Sequence, residues 1–335
     1  MAKVTIKDIA REAGVSISTV SNALNGLSVV SPETIAKVME VADRLHYVPN
    51  LNGKNLKAGS TKTIGLFAEF MGGSYMSELM YAMTSICYGE GYELNVFITG
   101  SNRSIMTRIL GGTVDGAVIV SSRLTAAEED ALQEAGIPVV YLNAERAGKY
   151  KSSVCFDSYN TGRMAAEYLI SKGVSRFGLM EGTDNYDSTE RKRGFCDVLN
   201  EKGLVLEPRF IWSGELIRDK AKYALKNYLD KSPENIKDKN LPEGIFACND
   251  DMAIGCIETL KNAGISVPRT VKVVGVDDIE LGSYIRPALT TIRTNFAVQG
   301  TEAMKLLLDM MKGEHMGRKI SLSCELVERQ SAEEA

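Results

Sequence analysis

The chain has 335 residues, of which 44% are hydrophobic and 24% are charged, a composition typical of a soluble globular protein with two or three domains. No run of about 18 uncharged apolar residues occurs and the N-terminus lacks the apolar segment of a signal peptide, so we expect a cytoplasmic protein without a membrane-spanning helix. The net charge is −4, yet residues 1–60 carry seven Lys or Arg and five Asp or Glu, and a mildly basic segment on an acidic body is compatible with a DNA-binding module.

Residues 1–46 are predicted to form three short helices. Thr5 and Asp8 have the spacing of a capping box, and Gly14 follows the apolar stripe of the first helix as its C-terminal stop. Ser16 is placed to cap the second helix, and the tetrapeptide SPET begins the third with a serine cap and a proline in the first turn. Two helices joined by the sequence AGVS match the helix-turn-helix pattern.

The second predicted helix, within GVSISTVSNALNG, carries no charged residue, so it would have to contact DNA through neutral side chains. Val20 and Leu24 lie four positions apart and are predicted to face inward. The outward stripe consists of Ile17, Ser18, Ser21 and Asn22. These side chains suit the major groove, because an amide can pair with adenine, a hydroxyl with either kind of edge atom and an isoleucine with the thymine methyl. The alternative is that the polar positions are merely solvated on a packing helix.

Residues 47–62 are rich in Gly and Asn and follow a proline, so they are predicted to form a linker. From Thr63 onward, strand-like apolar runs alternate with helical stretches that often end in glycine, which predicts a parallel α/β fold. Because about 270 residues are too many for one small sheet, we expect two similar lobes with a ligand between them, at the carboxyl ends of the strands.

The chain offers little for catalysis. It contains two histidines and lacks the nucleophile-elbow, Walker A, dinucleotide-binding and zinc-protease motifs. Its six cysteines are scattered with no CxxC pair and are interpreted as small buried apolar residues. We therefore predict that the protein is not an enzyme and has no cofactor, metal or disulfide.

Several blocks occur in one order along residues 3–330, namely TIKDIAREAGVSISTVSNALNG, VSPETIAKVMEVADRLHYVPN, DGAVIV, GIPVVYLN, ACNDDMAIGCIETLKNAGISVP and VVGVDDIELGSYIRPALTTIR. Together they resemble the lactose-repressor/galactose-repressor family of bacterial transcription regulators. The resemblance implies an all-α helix-turn-helix headpiece and an α/β two-lobed periplasmic-binding-protein-like core with parallel sheets. It also implies a homodimer on a pseudo-palindromic operator, and the absence of leucine heptads near the C-terminus favours a dimer over a tetramer.

The domain boundaries that the resemblance implies are a headpiece at 1–46, a hinge helix or linker at 47–61 and an effector-binding and dimerisation core at 62–330. The expected lobes of the core are lobe 1 at about 62–157 and 293–320, and lobe 2 at about 158–292 and 321–330.

By the same resemblance the residues that contact operator DNA are Thr5, Lys7, Ser16, Ile17, Ser18, Thr19, Ser21, Asn22, Asn25, Ser31, Asn50, Lys54 and Leu56. Family members commonly carry Arg at position 22, whose fork suits guanine, whereas this chain has Asn22. We therefore expect an operator in which adenine replaces guanine at that contact. Lysines and arginines outside the second helix would contact phosphates.

The family's hinge forms a short helix only on operator DNA, and here it would span residues 50–57. The two Leu56 side chains of a dimer would then wedge into the minor groove. This chain has Asn52 and Gly53 where relatives usually have Ala or Val, and Gly inside a helix costs about 1 kcal/mol relative to Ala. We therefore expect a hinge that is harder to order than most. The alternative is that residues 47–62 are only a flexible linker.

Effector-binding groups of the family lie at strand ends facing the cleft. The matching residues are Glu69, Tyr75 and Asp157 in the first lobe and Arg191, Asn249 and Asp277 in the second. Such side chains can share hydrogen bonds with adjacent hydroxyls, so a sugar or sugar derivative is expected. The alternative for each is structural, as a turn cap, a solvated loop residue or half of an ion pair. Leu216 stands where many relatives place an aromatic ring, for which the possible substitutes are Trp212, Tyr186, Tyr284 and Tyr75.

The expected function is therefore that of an effector-responsive repressor of a carbohydrate-utilisation operon, in which the ligand shifts the lobes, hinges and headpieces. Whether the effector induces or corepresses stays open. The competing class is a solute-binding protein without a role on DNA, against which the headpiece argues.

Overall fold

The structure, a computed structural model, describes residues 4–48, 59–69, 71, 73–231, 241–314 and 317–333. It divides into two compact units, with the boundary between Thr61 and Lys62. The predicted hinge contacts Asn50, Lys54 and Leu56 lie outside the described residues.

Among the described residues of the N-terminal unit are the helices α1 (Ile6–Ala13), α2 (Ile17–Leu24) and α3 (Pro32–Arg44). Their inward sides form one small core, in which Ile9, Val20 and Val38 are fully buried. Because helices this short are marginal on their own, the shared apolar cluster supplies most of their stability.

The ends of the headpiece helices follow the local signals in the sequence. The Asp8 carboxylate accepts hydrogen bonds from the backbone N–H of Thr5 over 3.0 Å and from its hydroxyl over 2.7 Å. Gly14 has a left-handed φ of 67° and follows the last residue of α1. The Ser16 hydroxyl accepts a hydrogen bond from the backbone N–H of Thr19 over 3.0 Å, which caps α2 as predicted.

The strands of the C-terminal unit are β1 (Thr63–Ala68), β2 (Glu93–Ile98), β3 (Gly116–Val120), β4 (Val139–Leu142), β5 (Lys151–Phe156), β6 (Phe177–Glu181), β7 (Ile211–Ser213), β8 (Gly244–Ala247), β9 (Lys272–Asp277), β10 (Thr290–Arg293), β11 (Lys319–Leu322) and β12 (Glu325–Val327). Within the described residues they form two sheets of six, in the orders β11-β5-β4-β3-β1-β2 and β12-β10-β9-β8-β6-β7. All neighbours pair in parallel except β10 and β12, which are antiparallel. The inner strands β1, β4 and β8 are buried throughout, as continuous apolar runs in a sheet covered on both faces should be.

The helices of the same unit are α4 (Gly73–Gly89), α5 (Asn102–Leu110), α6 (Ala126–Glu134), α7 (Ser158–Ser171), α8 (Tyr186–Glu201), α9 (Arg218–Lys231), α10 (Asp250–Asn262), α11 (Glu280–Tyr284) and α12 (Phe296–Lys312). They connect strands of the parallel sheets, as crossover helices do. None of the helices that the structure describes combines the length and apolarity of a bilayer-spanning segment.

Each sheet with its helices forms one lobe, and the chain crosses between the lobes after β5, β10 and β11. Two expected boundaries shift slightly. Arg293 still pairs with Asp277 in the second sheet, although position 293 was expected in lobe 1. Leu322 still pairs with Phe156 in the first sheet, although lobe 2 was expected from 321. In both cases the strand pairs with its neighbour up to the residue at which the chain leaves that lobe.

Candidate DNA-binding face and effector cleft

The exposed side of α2 carries the residues predicted to touch base pairs. Val20 is fully buried, whereas Ile17 is 47% exposed and Ser18 is exposed as well. Ser21 and Asn22 are half-buried. Within residues 4–48 no side-chain hydrogen bond occupies the Asn22 amide, so both its donor and its acceptor can serve another molecule.

Hydroxyl groups cluster at the N-terminal end of α2. The Ser16 hydroxyl lies 2.7 Å from that of Ser18 and 2.8 Å from that of Thr19. At the other end, the Asn25 amide donates to the Ser21 carbonyl over 2.7 Å. The side chains of Ser16, Ser18, Thr19 and Asn25, all predicted DNA contacts, therefore also hold the shape of the helix ends.

The remaining predicted DNA contacts of the headpiece flank α2. Thr5 is exposed but bonded to Asp8, Lys7 is exposed, and Ser31 caps α3 by accepting the backbone N–H of Thr34 over 3.3 Å. A lysine so placed is suited to a phosphate, because it carries a charge with no base preference.

The effector cleft is built around Arg191, a residue of α8 that is only 6% exposed. Two glycines let α8 lie against α7 at this point. A Cβ on Gly162 would lie 1.9 Å from the Arg191 carbonyl oxygen, and one on Gly194 would lie 1.9 Å from that of Tyr159. The close approach of two backbones thus fixes the depth at which the guanidinium sits.

The Arg191 guanidinium joins groups from three elements. It donates to the carbonyl of Cys248, just after β8, over 2.5 Å, and lies 3.8 Å from the Asp277 carboxylate at the end of β9. Its Nε has no hydrogen-bond partner within the described residues. Burial alone would lower the pKa of the guanidinium, but the charges of Asp277 and Asp187 outweigh it and raise the pKa.

Asp277 combines strain with burial. Its φ is 117° and that of Asp278 is 60°, two consecutive left-handed values at non-glycine residues, a pattern that concentrates at functional sites. Burial raises the pKa of the Asp277 carboxyl to about 7, although Arg191 and a 3.3 Å hydrogen bond from Thr294 oppose that rise.

A second acid, Asp250, stabilises the segment after Asp277 through hydrogen bonds. Asp250 is fully buried and accepts the Thr291 hydroxyl over 2.6 Å and the backbone N–H of Ile279 over 2.9 Å. Asp278 itself faces Arg293 over 2.7 Å and Arg329 over 2.6 Å. These contacts stabilise a backbone conformation that would otherwise relax.

Sequence reasoning missed Asp187, which is 7% exposed and accepts the Ser158 hydroxyl over 2.6 Å. Burial raises the pKa of its carboxyl, and the Arg191 charge opposes the rise. The signal was available, because Asp187 and Arg191 are four positions apart on one helix and therefore share a face.

Tyr75 is the predicted first-lobe contact that interacts electrostatically with this cluster. Its ring stands edge-on to Phe296 at 4.9 Å, and its hydroxyl accepts a hydrogen bond from the Asn143 amide over 3.3 Å. Burial raises the pKa of the Tyr75 phenol, and the negative charges of Asp187 and Asp277 raise it further. Tyr75 and these two acids of the second lobe therefore lie within electrostatic range of each other.

The other predicted effector contacts already have partners in the fold. The Asn249 side chain accepts the backbone N–H of Met252 over 2.9 Å and donates to the Leu216 carbonyl over 3.1 Å. Asp157 accepts the backbone N–H of Asn160 over 3.0 Å, which makes it the cap of α7. Both side chains thus cap helices, a role not predicted for either from the sequence, and a free lone pair on the side-chain oxygen is what remains for a ligand.

Glu69 is paired within its own lobe. It is paired with Arg123 over 3.2 Å in a crevice at the carboxyl ends of β1, β2 and β3. Trp212 cannot replace the missing aromatic ring, because it is 8% exposed and packs on Phe210 and Tyr228 inside the second lobe. Tyr186 remains at the cleft, where its hydroxyl reaches across to the first lobe.

Within the described residues no group of three His, Cys, Asp or Glu side chains has the arrangement of a metal site. The cleft instead offers one guanidinium, several carboxylates and a phenol, which are groups that bind a small polar molecule through hydrogen bonds.

Known proteins match both units. Residues 5–50 match the family described as bacterial regulatory proteins, lacI family, and residues 166–332 match the periplasmic binding protein-like domain. The chain is 31% identical over 332 residues to the HTH-type transcriptional repressor PurR of Vibrio atlanticus (strain LGP32), with 97% of each chain covered.

Solved structures share the fold. The lac repressor dimer bound to operator and the anti-inducer ONPF matches with a TM-score of 0.80 at 24% identity, covering 98% of this chain and 99% of that one. The transcriptional regulator CelR in complex with cellobiose matches with a TM-score of 0.72 at 25% identity, covering 98% and 100%. The predicted helix-turn-helix headpiece and two-lobed α/β core are thus confirmed, and the chain belongs to the lacI family of bacterial regulatory proteins as a DNA-binding transcriptional repressor with a ligand-binding domain.

Proposed function

We propose that this repressor responds to a small polyhydroxylated effector, a sugar or sugar derivative, that binds between its two lobes and controls a carbohydrate-utilisation operon. The single observation that carries the proposal is the convergence of Arg191, Asp187 and Asp277 with Tyr75 of the opposite lobe. Burying charged groups costs free energy unless they are paired or hydrogen-bonded, and the hydroxyl groups of a ligand can donate to and accept from such side chains. The cellobiose in the CelR complex is consistent with this choice.

The proposed mechanism requires the two lobes to move about the three chain segments that cross between them. A cavity of about 280 Å³ lies beside them and is lined by Phe156, Asn295 and Cys324 among others. Free volume next to a crossing allows the strands to change direction without overlapping other atoms. An effector that favours one lobe arrangement would shift the repressor between states of high and low operator affinity, by no more than its difference in affinity for the two.

On the DNA side, Ile17, Ser18, Ser21 and Asn22 of α2 are proposed to read base pairs, with Asn22 specifying adenine. The flanking Lys7, Thr5 and Ser31 would contact the backbone. For the hinge, the proposal rests on sequence alone: Asn50, Lys54 and Leu56 contact DNA once the segment becomes helical, and Gly53 makes that ordering costly.

A homodimer is proposed, with the outer face of α4 at its interface. Tyr81 and Tyr88 lie seven positions apart, on one face of the helix, and are 81% and 86% exposed. Ile98 at the end of the edge strand β2 adds a third exposed apolar side chain, at 48%. Large apolar groups exposed together typically mark a contact surface.

The test is an electrophoretic mobility shift with DNA from upstream of the gene and its neighbours, with and without a panel of mono- and disaccharides. Binding of one fragment, and a change in that binding with one sugar, supports the proposal. A shift that no sugar alters would remove the carbohydrate assignment. Sugar binding without a shift on any fragment would instead favour a solute-binding protein.

A further inference from the structure

The buried floor of the effector cleft has an excess of negative charge. Arg191 lies 3.8 Å from Asp277 and shares a helix face with Asp187. Asp187 is 7% exposed, and the Asp277 side chain is 17% exposed. Two carboxylates thus accompany one guanidinium where water provides little screening.

Basic side chains on neighbouring elements do not correct this excess, because each is paired with an acid other than Asp187 and Asp277. The pairs are Lys192 with Glu181 at 2.7 Å, Arg218 with Asp251 at 2.7 Å, Arg123 with Glu69 at 3.2 Å, Arg293 with Asp278 at 2.7 Å and Glu325 at 3.3 Å, and Arg329 with Asp278 at 2.6 Å. Asp187 and Asp277 therefore share Arg191 as their only positive partner among these groups.

Each of the two carboxylates keeps one oxygen for a further donor. Ser158 donates to Oδ1 of Asp187 over 2.6 Å, and Thr294 donates to Oδ1 of Asp277 over 3.3 Å. Among the described residues, no side chain or backbone group donates a hydrogen bond to Oδ2 of either acid. An ammonium group supplies three N–H donors for the free oxygens and a positive charge against the excess carboxylate. A hydroxyl supplies a donor but no charge.

We propose that the effector is an amino sugar whose protonated amine binds at Asp187, and that Asp187 is the residue that selects it over neutral and phosphorylated sugars. The proposal rests on the proposed function, because it takes this cleft as the effector site. A phosphate would add negative charge beside two carboxylates and be repelled, and a neutral sugar would leave the excess in place. Burial raises the pKa of both carboxyls, and a cation bound beside them would favour their ionised form.

The experiment uses the full-length protein and three matched sets of ligands, namely glucose, galactose and mannose, each as the neutral sugar, the 2-amino sugar and the 6-phosphate. Thermal shift identifies binders, and calorimetry at neutral pH gives Kd. At least one amino sugar should bind about tenfold or more tightly than its neutral and phosphorylated counterparts. Tighter or equal binding of a counterpart, or no binding by any member, would overturn the proposal.

Asp187→Asn keeps an acceptor for Ser158 but removes the charge, so the amino sugar should lose its about tenfold advantage while the neutral sugar changes little. Asp184→Asn is the matched control, because Asp184 is an exposed acid three positions away. An unchanged preference in Asp187→Asn would also overturn the assignment. If that variant does not fold, the Kd values of the amino, neutral and phosphorylated sugars on the parent protein still test the amino-sugar proposal.

The two proposals fail separately. Release of operator by a neutral sugar with no preference for its amine would overturn the amino-sugar inference and leave the proposed function standing. Operator binding that no small polyol alters would overturn the proposed function itself.

Discussion

The hydroxyl of Tyr186 donates a hydrogen bond to the Glu145 carboxylate over 2.8 Å, which connects the start of α8 in the second lobe to the loop after β4 in the first. Lys319 approaches the other carboxylate oxygen over 3.1 Å from the start of β11. The Tyr186 hydrogen bond, together with Lys319, holds the pKa of the Glu145 carboxyl below its usual range. The carboxylate is thus ionised and placed to hold the lobes in one arrangement.

Removing this contact should weaken the effector response. In Tyr186→Phe the lobes lose one charge-assisted hydrogen bond, so the effector concentration at half-maximal change in operator binding should rise about 3- to 10-fold. Tyr284→Phe is the control, because the Tyr284 hydroxyl bonds Glu280 of its own helix over 3.2 Å. Equal effects of the two variants in a mobility-shift titration would argue against a role for the interlobe contact.

Base reading by α2 can be tested at one position. Asn22→Ala should lose about 1–3 kcal/mol on the preferred operator and show no preference at one base pair, because the amide pairs with a base edge. Selection from randomised operators measures this. Lys7→Ala should instead weaken binding to all sequences and reduce the salt dependence. An operator preference in Asn22→Ala that matches the parent would exclude Asn22 from base reading.

The cost of ordering the hinge predicts a gain of affinity. Gly53→Ala should tighten operator binding by up to about fivefold per hinge, because Ala lowers the cost of helix formation by about 1 kcal/mol. Operator titrations by fluorescence anisotropy measure the change, and Gly59→Ala, at a left-handed φ of 65°, is a control in which no gain is expected. Weaker binding of Gly53→Ala would contradict a hinge helix.

The close contact between α7 and α8 predicts a sensitive glycine. Gly162→Ala would place a Cβ 1.9 Å from the Arg191 carbonyl oxygen, so α8 must move and the free energy of unfolding should fall by about 1–3 kcal/mol or more. Gly89→Ala, with no atom within 4 Å of the new Cβ, should change stability by less than about 0.5 kcal/mol. Urea unfolding of both variants distinguishes them, and comparable stability would mean that the helices can separate without cost.

Asp277 predicts a dependence of stability on pH. Burial raises its pKa from 3.8 to about 7, so between these values the folded state binds a proton that the unfolded chain has released. The free energy of unfolding contributed by this group therefore falls as pH rises toward 7. Asp277→Asn has no such proton, so its Tm relative to the parent should increase from about pH 5 to about pH 8. Parallel Tm curves over that range would contradict the raised pKa.

Local features were predictable because they depend on a few consecutive residues. Ser16 and Gly14 mark the ends of helices through bonds within one turn, and the structure places both as expected. The alternation of apolar runs and helices likewise predicted the α/β core, since strands buried on both faces must be apolar.

The cleft was harder to predict because it depends on which helices meet. The spacing of Asp187 and Arg191 shows that they share a helix face, but not that this face is buried, which depends on the close approach of α7 and α8 at Gly162 and Gly194. Asn249 and Asp157 were predicted as effector contacts, but each follows a strand and precedes a helix, where capping and ligand binding require the same kind of side chain. A single sequence does not separate these two uses.

The packing of α7 on α8 also matters to anyone who would turn this repressor into a biosensor for a new compound. Because Gly162 and Gly194 set the depth of Arg191 through backbone contact, they have to stay fixed in a mutant library. Tyr75 and Asp187 can be randomised instead, since the backbone contacts made at Gly162 and Gly194 do not involve their side chains.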